Sequence, residues 1–240
     1  VIALFHLLEP VTWTLGGIRV LNTLAGCGFA LLGGYAFWPL WERFRFPDLM
    51  SEAVRGNREY LRVILQVLKE GTTRSFSYFI KPRRGAEVTN SNVFLYLKRM
   101  KSEPEHERAN LEQYYIIVGC SIRITRLLNT INQQIRILPK SAPSFSADSY
   151  DRCVSAMLNR IEDTLSDRGP VAGETTVNVE DLIGEMQHAL QADGMLSHPR
   201  DLPGYEVIFS LLGKISREVI SMYYATLQLM AVPQAPPENK

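Results

Sequence analysis

Residues 20–41 (VLNTLAGCGFALLGGYAFWPLW) form a run of 22 without a side chain that is charged at neutral pH. About 20 apolar residues rising about 1.5 Å each cross a hydrocarbon core of about 30 Å, so the run is long enough for a membrane-spanning helix. The competing assignment, a buried helix of a soluble protein, predicts a shorter and more amphipathic segment. This run reads as apolar on all sides, and Gly26, Gly28, Gly33 and Gly34 give it the small-residue content of packed membrane helices. Tyr35, Trp38 and Trp41 cluster at its C-terminal end, and Arg43 and Arg45 follow at once. An aromatic belt followed by Arg holds a helix end at the interface, and the positive-inside bias places that end in the cytoplasm. Trp38, Trp41, Arg43 and Arg45 are therefore the expected interface anchors, with the lipid bilayer as their partner.

Charge along the chain fits that assignment. Residues 1–38 hold only Glu9 and Arg19 as fixed charges. Residues 39–140 carry 18 Lys+Arg against 10 Asp+Glu, while residues 141–240 carry 7 against 14, so the net charge of +1 conceals a basic middle and an acidic end. An uncharged start followed by a basic stretch predicts a membrane segment emerging into the cytoplasm. The small net charge argues against a dedicated nucleic-acid binder. The chain opens on Val1 with no initiator Met, already inside an apolar run, which predicts a fragment. A secretory signal peptide needs a basic region ahead of its apolar core; here nothing basic precedes it, Glu9-Pro10 interrupts it, and a longer apolar stretch follows. Residues 1–9 read instead as the tail of a preceding spanning helix.

Arg19, Asn22 and Thr23 stand at the start of the main run with helical spacing i, i+3 and i+4, and so share a face. Two roles fit them. Arg19 snorkels to the outer interface while Asn22 and Thr23 satisfy local hydrogen bonds, or the three line a polar face that meets an anionic solute.

Beyond the run the sequence is helical throughout. A helix is predicted from an N-cap at Asp48 to Gly71, a second from about Arg83 to Glu103 with Phe94, Leu97 and Met100 on one face, and a third from about Glu105 to Leu138. The third repeats Leu111, Tyr115, Val118 and Ile122, then Ile124, Leu128, Ile131, Ile135 and Leu138, as a bundle seam. Residues 140–149 read as a Ser- and Pro-rich linker. Val154, Met157, Leu158, Ile161 and Leu165 form the next stripe, Asn178 caps a short helix, residues 171–177 and 194–203 are loops, and a long last helix covers 205–230. No alternating strand pattern of useful length occurs. The expected fold is all-α: the end of a transmembrane domain over 1–45, a cytoplasmic helical bundle over 46–232, and a disordered tail over 233–240.

The residues support no enzyme and no cofactor. His6, His106, His188 and His198 lack zinc-site spacing, so no metal is expected. Cys27, Cys120 and Cys153 are isolated and read as buried, inert thiols. Phosphate-loop, dinucleotide-binding and nucleophile-elbow motifs are missing from the sequence. The basic group Arg74, Lys81, Arg83, Arg84, Lys98, Arg99 and Lys101 reads as a solvated face, or as one that meets anionic headgroups or acids of a partner helix.

Two stretches carry a family resemblance. IRVLNTLAGCGFALLGGYAFWPLWER (18–43) resembles the second membrane half of the fusaric acid resistance (FUSC)-like proteins, where Arg, Asp-Thr and Gly open a helix that ends in Trp-Pro. RRGAEVTNSNVFLYLKRMKSEP (83–104) is similar to that family's cytoplasmic helix, with its Arg-Arg, Asn-rich middle and Glu-Pro ending. The resemblance extends over about residues 1–138. It implies a bacterial inner-membrane protein of two membrane halves, each followed by a helical cytoplasmic domain, related to exporters of aromatic carboxylic acids such as fusaric and hydroxybenzoic acid. A homo-oligomer and a periplasmic adaptor protein are the further partners implied. Arg19, Thr23, Gly26 and Pro39 match the motif, while Asn22 replaces the expected Asp and cannot titrate in proton coupling. Transport of a small organic acid is one function this predicts. A membrane-anchored helical scaffold that binds a partner and moves nothing is the other.

Overall fold

The computed structural model describes residues 13–37, 39–70, 77–101, 111–138, 147–166 and 205–231, and residues 181, 183–185 and 188 between the last two stretches. The expectations for residues 1–9, Trp38, the 171–177 and 194–203 loops and the 233–240 tail lie outside the described residues. Among the described residues the fold is all-α, without a strand. Its helices are α1 (Trp13–Phe37), α2 (Pro39–Glu70), α3 (Ser77–Met100), α4 (Leu111–Ile137), α5 (Asp148–Leu165) and α6 (Tyr205–Ala231). The chain divides into two compact units, Val1–Arg45 and Phe46–Lys240.

In the first unit, the stretch Gly16–Gly34 of α1 is long and apolar enough to cross a membrane, and none of it is buried. Its 19 residues rise about 28 Å at 1.5 Å each, close to the thickness of a hydrocarbon core. Ile18, Leu21, Leu24, Phe29, Leu31 and Leu32 are 57–76% exposed, where a core helix would have enclosed them. The helix is not uniform around its axis, however. Arg19, Thr23, Gly26, Ala30 and Gly33 recur at steps of four, three, four and three along one face, while the bulky residues gather on the other.

The second unit is built around α2. Phe46, Met50, Ala53, Tyr60, Leu61, Ile64 and Leu68 of this helix are enclosed in one apolar core. The side-chain bonds fix how neighbouring helices run. α4 lies parallel to it, since Phe46 meets Tyr114 edge-on with ring centroids 4.8 Å apart, Asn57 bonds Ser121, and Tyr60 bonds Asn129. α5 lies antiparallel, since Ser51 pairs with Ser166, Arg58 with Glu162 and Lys69 with Asp148. α3 is also antiparallel, with Tyr78 bonded to Gln66 and Gly56 facing Ala86. A Cβ on Gly56 would come within 3.3 Å of the Ala86 backbone and 3.1 Å of Thr89 Oγ1, so the absent side chain permits the close approach. α6 completes the bundle, with Ile208, Leu212, Ile215, Val219 and Met222 buried.

Four expectations are corrected. α2 does not begin at Asp48 but runs unbroken from Pro39 through Pro47. An interior proline costs a free helix about 3 kcal/mol; here the fully enclosed Phe46 and Met50 on either side hold the segment helical against that cost. α3 begins at Ser77 rather than near Arg83, because buried Phe79 anchors an extra turn ahead of Pro82. On α3 the core takes Val93 and leaves Phe94 49% exposed; on α4 it takes Ile117 and Cys120 and leaves Tyr115 out, with Leu111 and Ile122 half-buried. The linker ends early: α5 starts at Asp148, since Tyr150 is fully buried and its hydroxyl donates to Leu212 O at 2.9 Å. Asp148 and Asp151 then occupy the first turn, where the helix dipole favours acids. The predicted end at Glu103, start at Glu105 and linker portion 140–146 lie outside the described residues.

Candidate functional site

Two polar constellations stand out among the described residues, one in each unit. The first is the face of α1 headed by Arg19, Asn22 and Thr23. Small residues follow on that face because Gly26, Ala30 and Gly33 recur at the helical period, so it is flat below its polar head. All three head residues are exposed. Thr23 Oγ1 donates to Arg19 O of the preceding turn at 2.9 Å, which spends its proton inside the helix. Thr23 is left with its oxygen lone pairs as acceptors, while the Arg19 guanidinium and the Asn22 amide carry N–H groups. Of the expected interface anchors, Arg45 is exposed near the end of this unit; Trp41 and Arg43 are helical residues of α2. The side chains of Trp41 and Arg43, and all of Trp38, lie outside the described residues.

The second constellation is a polar seam inside the bundle, between α2, α3 and α4. Asn57, 1% exposed, donates from Nδ2 to both the backbone O and the Oγ of Ser121 at 2.9 Å. Its Oδ1 accepts from Thr125 Oγ1 at 2.6 Å, and Asn90 Nδ2 donates to that same hydroxyl oxygen at 3.0 Å. One helical turn further along, Asn132 Nδ2 donates to the Tyr60 hydroxyl, and the hydroxyl donates to Asn129 Oδ1, both at 3.1 Å. Asn129 Nδ2 then donates to Glu87 Oε1, which also receives Arg83 Nε, each at 2.9 Å. The bonds run as a chain from a buried asparagine to a half-exposed ion pair. Burial raises the Tyr60 hydroxyl above its ordinary range, outweighing the bond from Asn132, so it remains a donor at neutral pH. The buried oxygens Asn90 Oδ1 and Asn132 Oδ1 have no partner among the described residues.

None of these seam positions stands out as a site in the sequence, though a signal is there. Ser121, Thr125, Asn129 and Asn132 step by four, four and three, a line of small polar residues beside the apolar seam. Chemically the seam favours one helix register, because the Asn57 and Asn129 amides find partners for both donor and acceptor in that alignment. The basic group divides as well. Arg83 is engaged by Glu87, whose hydrogen bond raises its already high pKa, whereas Lys81, Arg84, Lys98, Arg99 and Lys101 are exposed and Arg74 lies outside the described residues.

The thiols differ in setting. Cys27 is exposed on α1, while Cys120 and Cys153 are buried. Burial, reinforced by Glu218, pushes the Cys120 thiol up to about 11 despite Arg123 Nη2 standing 3.2 Å from its sulfur. Thiol modification at mildly alkaline pH is expected to be slower at Cys120 than in the unfolded chain by on the order of 100-fold, from thiolate fraction alone. Because the folded value is raised, the associated stability is present below the ordinary thiol range and is lost as pH rises towards about 11. Mass spectrometry after timed alkylation measures it, and equal rates in native and denatured chain would refute the burial.

The chain is 31% identical over 86 residues to the inner membrane protein YccS of Escherichia coli (strain K12). The match takes in 36% of this chain and 12% of that protein, so the chain corresponds to a small part of its relative's length. No family model matches the chain. No solved structure matches it.

Proposed function

We propose that this chain belongs to an inner-membrane transport protein of the FUSC-like kind, which exports small aromatic organic acids. In this reading α1 crosses the bilayer, Arg45 marks the cytoplasmic end, and the helical second unit lies in the cytoplasm. The observation that carries it is the two-faced α1. Bulky aliphatic residues suit lipid on one side, while Arg19, Asn22 and the small residues below them suit a solute path or a packed neighbour on the other. Similarity to an inner membrane protein supports the same compartment. A small-residue face calls for other helices against it, consistent with a homo-oligomer, and export across an outer wall would use a periplasmic adaptor.

Topology and activity are tested separately. In a Cys27→Ala background, Thr14→Cys and Arg45→Cys are expected to react with a membrane-impermeant maleimide from opposite sides of the membrane. Reaction of both from one side sinks the span. Cells that lack other exporters and produce the protein carrying this chain should tolerate more hydroxybenzoate than cells without it. If the topology holds and tolerance does not change, the protein is a membrane-anchored scaffold.

A further inference from the structure

α3 buries one face and leaves a second apolar line on the opposite one. Phe79, Ala86, Asn90, Val93, Leu97 and Met100 point into the bundle. Ile80, Val88 and Leu95 are 45%, 48% and 54% exposed, at steps of eight and seven that keep them on one line away from the core. Arg84 and Lys98 lie on that same line and Lys81 and Arg99 beside it, all exposed. From Ser77 to Lys101 the only acid is Glu87, and it is engaged by Arg83. The three part-exposed branched aliphatics interleave with Arg84 and Lys98, so one strip of the helix is apolar and cationic at once. The pattern is that of a helix lying in a bilayer interface, with aliphatic side chains among the acyl carbons and Lys and Arg stems reaching anionic headgroups.

We infer that the outer face of α3 docks on an anionic phospholipid surface. Charge complementarity selects this occupant: five exposed cations (Lys81, Arg84, Lys98, Arg99 and Lys101) face outward, and the one carboxylate among residues 77–101, that of half-exposed Glu87, is paired with Arg83. The inference rests on the reading that α1 spans a bilayer, since a spanning α1 tethers the second unit to the membrane through the chain.

The test uses the whole chain reconstituted in vesicles of phosphatidylcholine alone or of phosphatidylcholine mixed with phosphatidylglycerol. Val88→Cys in a Cys27→Ala background carries a small fluorophore, and a quencher is attached to the lipid. The expected result is strong quenching in the mixed vesicles and weak quenching in phosphatidylcholine. Arg84→Gln with Lys98→Gln should lower the docked-to-undocked ratio by about 25-fold, from about fivefold (about 1 kcal/mol) per basic side chain at an anionic surface. Absence of quenching in both vesicle types overturns the inference. So does equal quenching in both that ignores the two substitutions. Protection of the probe that persists in detergent and depends on protein concentration assigns the face to a second copy, and overturns it too. A probe at Leu24→Cys, read in parallel, should be quenched in both vesicle types; its failure would remove the span and not the α3 contact.

Discussion

Asn57→Ala is expected to destabilise the second unit by about 2–4 kcal/mol. The substitution removes two donors from Ser121 and the acceptor of Thr125, all within the buried seam. A buried polar group left unpaired costs about 1–3 kcal/mol, and the vacated volume adds a cavity term. Against a total stability of about 5–15 kcal/mol, that is a large share. Asn57→Asp should be worse at neutral pH, because an acidic oxygen then faces the Ser121 carbonyl where an N–H now stands 2.9 Å away. Burial raises the pKa of that carboxyl above its unfolded value. Its neutral form is therefore favoured in the folded chain, so the loss is smallest at acidic pH and grows as pH rises through the raised pKa. Urea unfolding of the detergent-solubilised chain, followed by circular dichroism at both pH values, measures it. An Asn57→Asp chain as stable as the parent at neutral pH would mean that the amide does not donate to Ser121.

On the export reading proposed above, Arg19→Gln is expected to weaken efflux of aromatic acids, with apparent substrate affinity falling about 10- to 100-fold. That range corresponds to loss of one charge-assisted hydrogen bond, about 1.5–3 kcal/mol. Arg19→Lys should be milder, since the charge remains while the planar fork is lost. Thr23→Val provides a contrast: its hydroxyl proton is already committed to Arg19 O, so removing it should cost export little. The measurement is hydroxybenzoate efflux from cells lacking other exporters, normalised to the amount of inserted protein. If Arg19→Gln cells export like the parent, Arg19 is an interface anchor and carries no part of the path.

The helical period makes much of the fold legible in the sequence. Tyr205, Ile208, Leu212, Ile215, Val219 and Met222 repeat closely enough to delimit α6, and these same residues are buried. The stripe from Val154 to Leu165 on α5 behaves likewise. Period alone is ambiguous wherever two apolar residues adjoin. Val93 and Phe94 differ by one position, as do Tyr114 and Tyr115, and bulk favours the wrong member on α3. Helical angle decides there: Val93 stands three and four positions from the buried Asn90 and Leu97, whereas Phe94 is turned off that face. On α4, Tyr114 rather than Tyr115 reaches Phe46. The polar head of α1 is legible because its spacing lies within one helix. That Thr23 turns its proton back to Arg19 O is not, because spacing does not say which acceptor a hydroxyl takes.

Local features are legible from residue spacing: the all-α class, the long uncharged run and the residues sharing a face on each helix, since these depend on neighbours three and four positions apart. The tertiary structure alone decided the seam. Asn57, Tyr60, Ser121, Thr125, Asn129 and Asn132 read one at a time as ordinary helix residues, and their bonds join positions 64 to 72 apart in the chain. Helical periodicity gives an angle around one axis and carries no information about which helix stands at that angle. Only when α2 and α4 lie parallel, with α3 reversed against them, do the amides find their partners; the same packing leaves Ile80, Val88 and Leu95 facing outward.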